Sequence, residues 1–84
     1  MSDAGLGLTL EQGLSLSGMS FEELWLDQLA VGGDAGRLEV EAYVRGLLVA
    51  DPLQHDVIAQ ALNESLLEQG LDHLVGYWHA ATTD

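Results

Sequence analysis

Two punctuation marks do most to limit how this chain folds: Asp51-Pro52 opens a long apolar-periodic run and Gly70 closes it. Aspartate is a good N-cap, proline fits the first helical position, and Gln54 completes the capping pattern. Gly70 supplies a left-handed stop, with Leu71 placed to touch Leu66 as in a Schellman motif. Between them Leu53, Val57, Ile58, Ala61, Leu62 and Leu66 recur at helical spacing. The spacing predicts a helix over 52–69 that buries this stripe and leaves Asp56, Glu64 and Glu68 outside it.

Two shorter helices are predicted before it. Ser20-Phe21-Glu22-Glu23 forms a capping box, with Met19 and Leu24 at the staple positions on either side. Phe21, Leu24, Trp25 and Leu29 form the expected buried stripe. Glu22, Glu23 and Asp27 then face water or a partner, and Gly32-Gly33 ends the helix after Val31. The next helix is expected over 35–49 with Asp34 as its N-cap and Val40, Tyr43, Val44, Leu47 and Leu48 as its apolar face. Arg37 with Glu41, and Glu41 with Arg45, are spaced for ion pairs along it. Gly46 falls inside this span, and a glycine there predicts a close contact between helices.

Residues 1–18 read differently. Leucines alternate at 6, 8 and 10, but glycines at 5, 7, 13 and 18 weaken a strand. Thr9 with Gln12 caps at most one helical turn. The expectation is a mobile arm, with docking of its leucines on the domain or on a partner as the alternative. The aromatic stretch after Gly70 is expected to be an extended tail or a single helical turn packed across the helices, and residues 80–84 are expected to fray. With 84 residues the chain has room for one domain. The predicted fold is therefore all-α: a compact three-helix domain over 19–79, with helices at 20–31, 35–49 and 52–69.

Charge limits the partners. Fourteen acids face two bases, Arg37 and Arg45, for a net charge of -12. Such a chain repels nucleic acid and anionic membrane surfaces and attracts cationic partners. No run of apolar residues approaches the roughly 20 needed to span a bilayer. The N-terminus carries no basic region followed by an apolar run, so a cytoplasmic location is expected.

Recognisable chemistry is sparse. The chain has no cysteine, and His55, His73 and His79 lack metal-ligand spacing. Ser20 is explained by capping, and no Gly-x-Ser-x-Gly elbow occurs. Glu39 with Glu41, or Asp51 with Asp56, are paired carboxylates that read as solvated helix faces. Gly32-Gly33-Asp34-Ala35-Gly36 precedes a helix as phosphate loops do, but it lacks the lysine, and Asp34 opposes an anion. No cofactor, no metal and no enzymatic activity are expected.

Two resemblances bear on the reading. Gly33-Asp34-Ala35-Gly36-Arg37-Leu38 resembles, in position and context, the Asp-Ser-Leu attachment site of acyl carrier proteins. Ala35 stands where the carrier serine would be, so the resemblance implies a carrier-like domain that cannot take the prosthetic arm. Glu23-Leu24-Trp25-Leu26, Glu39-Val40-Glu41-Ala42-Tyr43-Val44 and Ala61-Leu62-Asn63-Glu64, together with the glycine-rich turn, resemble small acidic helical proteins of high-GC bacteria. That group transfers no function.

The functional expectation is a small acidic protein-interaction module, a regulatory adaptor for a basic protein partner. The candidate partner-binding residues are Glu22, Glu23, Asp27, Asp56, Glu64, Glu68, Tyr77 and Trp78. Tyr and Trp are included because they anchor interfaces. The carrier-like domain and a nucleic-acid-mimicking inhibitor are the alternatives. The chain is expected to be a monomer or a homodimer.

Overall fold

The computed structural model describes residues 7–71 and 74–77. Among these the chain is all-helical, with four helices rather than three: α1 (Leu10–Ser17), α2 (Phe21–Ala30), α3 (Arg37–Arg45) and α4 (Pro52–Glu68). Helix α4 packs against α1 and α2, and α3 packs against α2 and α1. The core comprises Leu10 and Leu14 from α1, Leu24 from α2, Val40 and Val44 from α3, and Ile58, Ala59, Ala61, Leu62 and Leu66 from α4, with Ala35 and Val75 added from outside the helices.

Residues 7–18 are therefore not a mobile arm. The Thr9 hydroxyl accepts from the Gln12 amide at 3.1 Å, and the Gln12 side chain accepts from the Thr9 amide at 2.9 Å. This capping box starts α1, and Gly18 (φ 77°) stops it in the left-handed region. Leu10 and Leu14 are one helical turn apart and both are buried. Of the glycines that argue against a strand, Gly13 serves close packing here. An added Cβ on Gly13 would run into the Val75 side chain, so α1 presents a bare backbone at that point.

Helix α2 starts as the sequence predicts, with Ser20 and Glu23 exchanging hydrogen bonds of 2.9 and 3.0 Å. Its buried face is shifted, however. Leu24 and Gln28 are fully buried, Phe21 and Trp25 are half-buried, and Leu29 is exposed. Gln28 enters the core because its amide donates to the Ala35 carbonyl at 2.9 Å. That bond draws the α2–α3 turn inward and buries Ala35.

Helix α3 begins two residues later than predicted, after Gly36 rather than Asp34. The Glu39 carboxylate reaches back to the Gly36 amide at 2.8 Å. Asp34 does not cap this helix; its carboxylate accepts from the Gln54 amide at 2.8 Å, tying the turn to α4. The helix also ends four residues earlier. Gly46 adopts φ 80°, which terminates the helix, and no atom approaches the place a Cβ would occupy. The close helix contact predicted at Gly46 does not occur. Leu47 and Leu48 consequently lie outside the helix and are exposed.

Helix α4 matches its prediction within a residue. Asp51 accepts from the Gln54 amide at 2.8 Å. Gly70 is left-handed, and the Leu71 amide donates to Leu66 at 3.0 Å. Leu53, assigned to the stripe, is exposed, whereas Asn63 is buried.

The tail is extended where it is described. Leu8 and Val75 form an isolated parallel bridge. The Leu8 amide donates to Leu74 at 2.8 Å, and Gly76 donates to Leu8 at 3.1 Å. On the other side of the tail, Asn63 bonds both polar groups of the Val75 backbone, at 2.7 and 3.0 Å. The Asn63 side chain thus stands in for a neighbouring strand. Trp78, His73, His79 and the expected frayed residues 80–84 lie outside the described residues.

Candidate interaction surface

The predicted acidic residues divide between two helices. Glu22, Glu23 and Asp27 are exposed on α2; at 100° per residue Glu22 and Glu23 fall away from Leu24 and Gln28, and Asp27 lies at the flank of that buried face. Two of them also have local work. Glu23 caps its own helix, and Glu22 lies 3.7 Å from Arg37 in an exposed ion pair. Arg37 therefore pairs across to α2, not with Glu41 as its spacing suggests. Arg45 does pair with Glu41, at 2.9 Å, and its guanidinium sits 5.2 Å above the Phe21 ring.

On α4 the acids are spread along the helix. Asp56 is half-buried, whereas Glu64 and Glu68 are exposed. Glu64 accepts a 3.3 Å hydrogen bond from Gln60. Twelve residues separate Asp56 from Glu68, about 18 Å along the axis, so one small partner group cannot touch both ends. Tyr77 is partly exposed at the end of the described tail. His55 is half-buried, and its Nε2 lies 2.8 Å from the Gly76 carbonyl oxygen, so it serves to hold the tail.

Exposed leucines are what sequence reasoning missed. Leu26 is 50% and Leu29 41% exposed, one turn apart on the outward side of α2 that also carries Glu22. Glu22 precedes Leu26 by four residues, and Glu23 and Asp27 lie along one side of the pair. The result is a short apolar ridge bordered on one side by carboxylates. A phase set by Leu24 and Gln28 places Leu29 outside, but a buried glutamine gives no apolar signal from which to read that phase.

The remaining features offer little for chemistry. An open cleft of about 370 Å³ lies between α1, α2 and α3, with Glu11 and Arg45 beside Leu14, Met19 and Phe21. Among the described residues no group of three or more potential ligands is placed to hold a metal ion. No helix there is long and apolar enough to cross a membrane. Ala35, at the carrier-like position, is buried with its carbonyl held by Gln28. No family model matches the chain, and neither the curated proteins nor the solved structures yield a significant match.

Proposed function

We propose that this protein is a small acidic interaction module, a regulatory adaptor, that binds a basic protein partner through the outward face of α2. One observation carries the reading: Leu26 and Leu29 are open to solvent beside Glu22, with Glu23 and Asp27 along one side of them. A partner of matching pattern buries the leucines and brings its cations to the carboxylates. The leucines supply contact energy, since exposed rim charges contribute mainly to steering and specificity. The net charge of -12 raises the encounter rate with cationic surfaces. Asp56, Glu64 and Glu68 on α4 add to that field, and Tyr77 is a second apolar anchor.

The test is titration with a synthetic amphipathic helix carrying lysines beside a leucine stripe, followed by calorimetry at low and high salt. Binding should weaken as salt rises. Leu26→Asp should abolish it, even though the substitution adds negative charge. A purely electrostatic attraction would instead hold or strengthen in that variant, and this outcome would overturn the assignment to the α2 ridge.

A further inference from the structure

We propose that Arg37 is a built-in competitor for the partner's cations, holding the Glu22 end of the α2 ridge until a basic partner displaces it. The proposal rests on that ridge being the partner surface. Of the three acids beside the leucines, Glu22 alone is in an ion pair among the described residues: its Oε1 lies 3.7 Å from Arg37 Nη1. Glu22 sits one helical turn before Leu26 on the outward side of α2. Four residues rise about 6 Å along the axis, inside the screening length of about 10 Å at 0.1 M salt. A cation that a partner brings to this end of the ridge therefore meets the charge of Arg37 as well as the carboxylates.

Arg37 does little for its own helix. It occupies the first position of α3, where the positive end of the helix dipole disfavours a cation. Glu41, one turn further along α3, is taken by Arg45 at 2.9 Å, and Arg45 also lies over the Phe21 ring. Of the chain's two bases, one is thus built into its own helix surface and the other reaches across to α2. Arg37 is loosely held there. Both side chains of the pair are more than half exposed, at 56% and 62%. Their contact is longer than a hydrogen bond and lacks the two parallel bonds of a forked arginine–carboxylate clasp. An exposed pair of this kind exchanges readily for another. A partner that places a cation at Glu22 restores what Arg37 gives up. A partner without one finds that end already neutralised, so Arg37 selects for cations set one turn from the leucine contact.

The experiment is calorimetric titration with the lysine-bearing leucine helix at about 50 mM NaCl. Arg37→Gln keeps the helix propensity and frees Glu22. It should tighten binding roughly two- to fivefold, with helical circular dichroism and Tm unchanged. Arg45→Gln makes the same change in net charge but leaves the Arg37–Glu22 pair in place, so it should tighten binding less. With glutamine in place of every lysine of the peptide, Arg37→Gln should bring no gain. Equal gains in the two arginine variants, or no gain in Arg37→Gln, overturn the proposal and leave the α2 reading standing. A wild-type chain that ignores the lysine peptide overturns the α2 reading and this proposal with it.

Discussion

Asn63 and Val75 exchange two hydrogen bonds: the Val75 amide donates to Asn63 Oδ1 at 2.7 Å, and Asn63 Nδ2 donates to the Val75 carbonyl at 3.0 Å. Both residues are buried. Asn63→Leu keeps the volume but leaves a buried amide and carbonyl unpaired. The expected cost is about 2–4 kcal/mol in urea denaturation. Hydrogen exchange should quicken at the Val75 and Leu8 amides together, because the tail holds both segments. An unchanged midpoint would show that solvent replaces Asn63 without penalty.

Gly13→Ala sets two effects against each other. Alanine is favoured over glycine within a helix by up to about 1 kcal/mol. The added methyl, however, meets the Val75 side chain, with Leu62 Cδ1 another 3.5 Å away. Overpacking typically costs about 1–3 kcal/mol, so net destabilisation is expected. Combining Gly13→Ala with Val75→Ala should cost less than the sum of the two single changes, which a double-mutant cycle measures.

Leu24 and Leu26 are the same residue type two positions apart on one helix. Leu24 is fully buried, whereas Leu26 is half exposed. Leu24→Ala should cost about 2–5 kcal/mol, whereas Leu26→Ala should stay within about 0.5 kcal/mol. Equal losses would mean that α2 is rotated from the position described.

Salt should stabilise the fold. With fourteen acids and two bases, raising ionic strength screens far more repulsion than attraction. The exposed Arg37–Glu22 and Arg45–Glu41 pairs, weakened by screening, contribute at most about 1 kcal/mol each. Thermal melts at low and high NaCl should show Tm rising, and each 1 kcal/mol gained corresponds to roughly 4–8 °C for a domain of this size. A falling Tm would mean that the ion pairs outweigh the repulsion.

What was legible in the sequence was local. Caps with hydrogen-bonding side chains within three residues, Ser20 with Glu23 and Asp51 with Gln54, read correctly because their chemistry is complete in a short window. Gly46 has two uses, close packing or a left-handed stop, and the sequence does not distinguish them. The fold uses the stop, which moved Leu47 and Leu48 from the expected core to the surface. Asn63 and Gln28 are buried polar residues whose partners, Val75 and Ala35, are chosen by tertiary placement. No periodicity marks them. Helix α1 was hidden for the same reason, since what covers Gly13 comes from the other end of the chain. Of the candidate surface, the acids of α2 were legible, but the leucines beside them were not, because their exposure depends on the phase set by Gln28.

Gln28 has a further effect on the turn it holds. Its Oε1 is buried and accepts no conventional hydrogen bond among the described residues. It occupies the place a Cβ on Gly33 would take, so its neighbour is the Gly33 Cα–H, a weak donor. Gly33→Ala should displace Gln28 and break its bond to Ala35, at a cost of about 1–3 kcal/mol by thermal melt.

The bridge between Leu8 and Val75 also governs the order of events during synthesis. Val75 fills the gap above Gly13 and lies near the opposite end of the chain from α1. Until that residue leaves the ribosome, the place above Gly13 stays open and α1 is held by α3 and α4 alone. Helices α2 to α4 emerge in sequence with their own caps in place. Of the four helices described, α1 is thus made before the others and secured after them, and a nascent chain arrested before residue 75 should hold α1 only loosely.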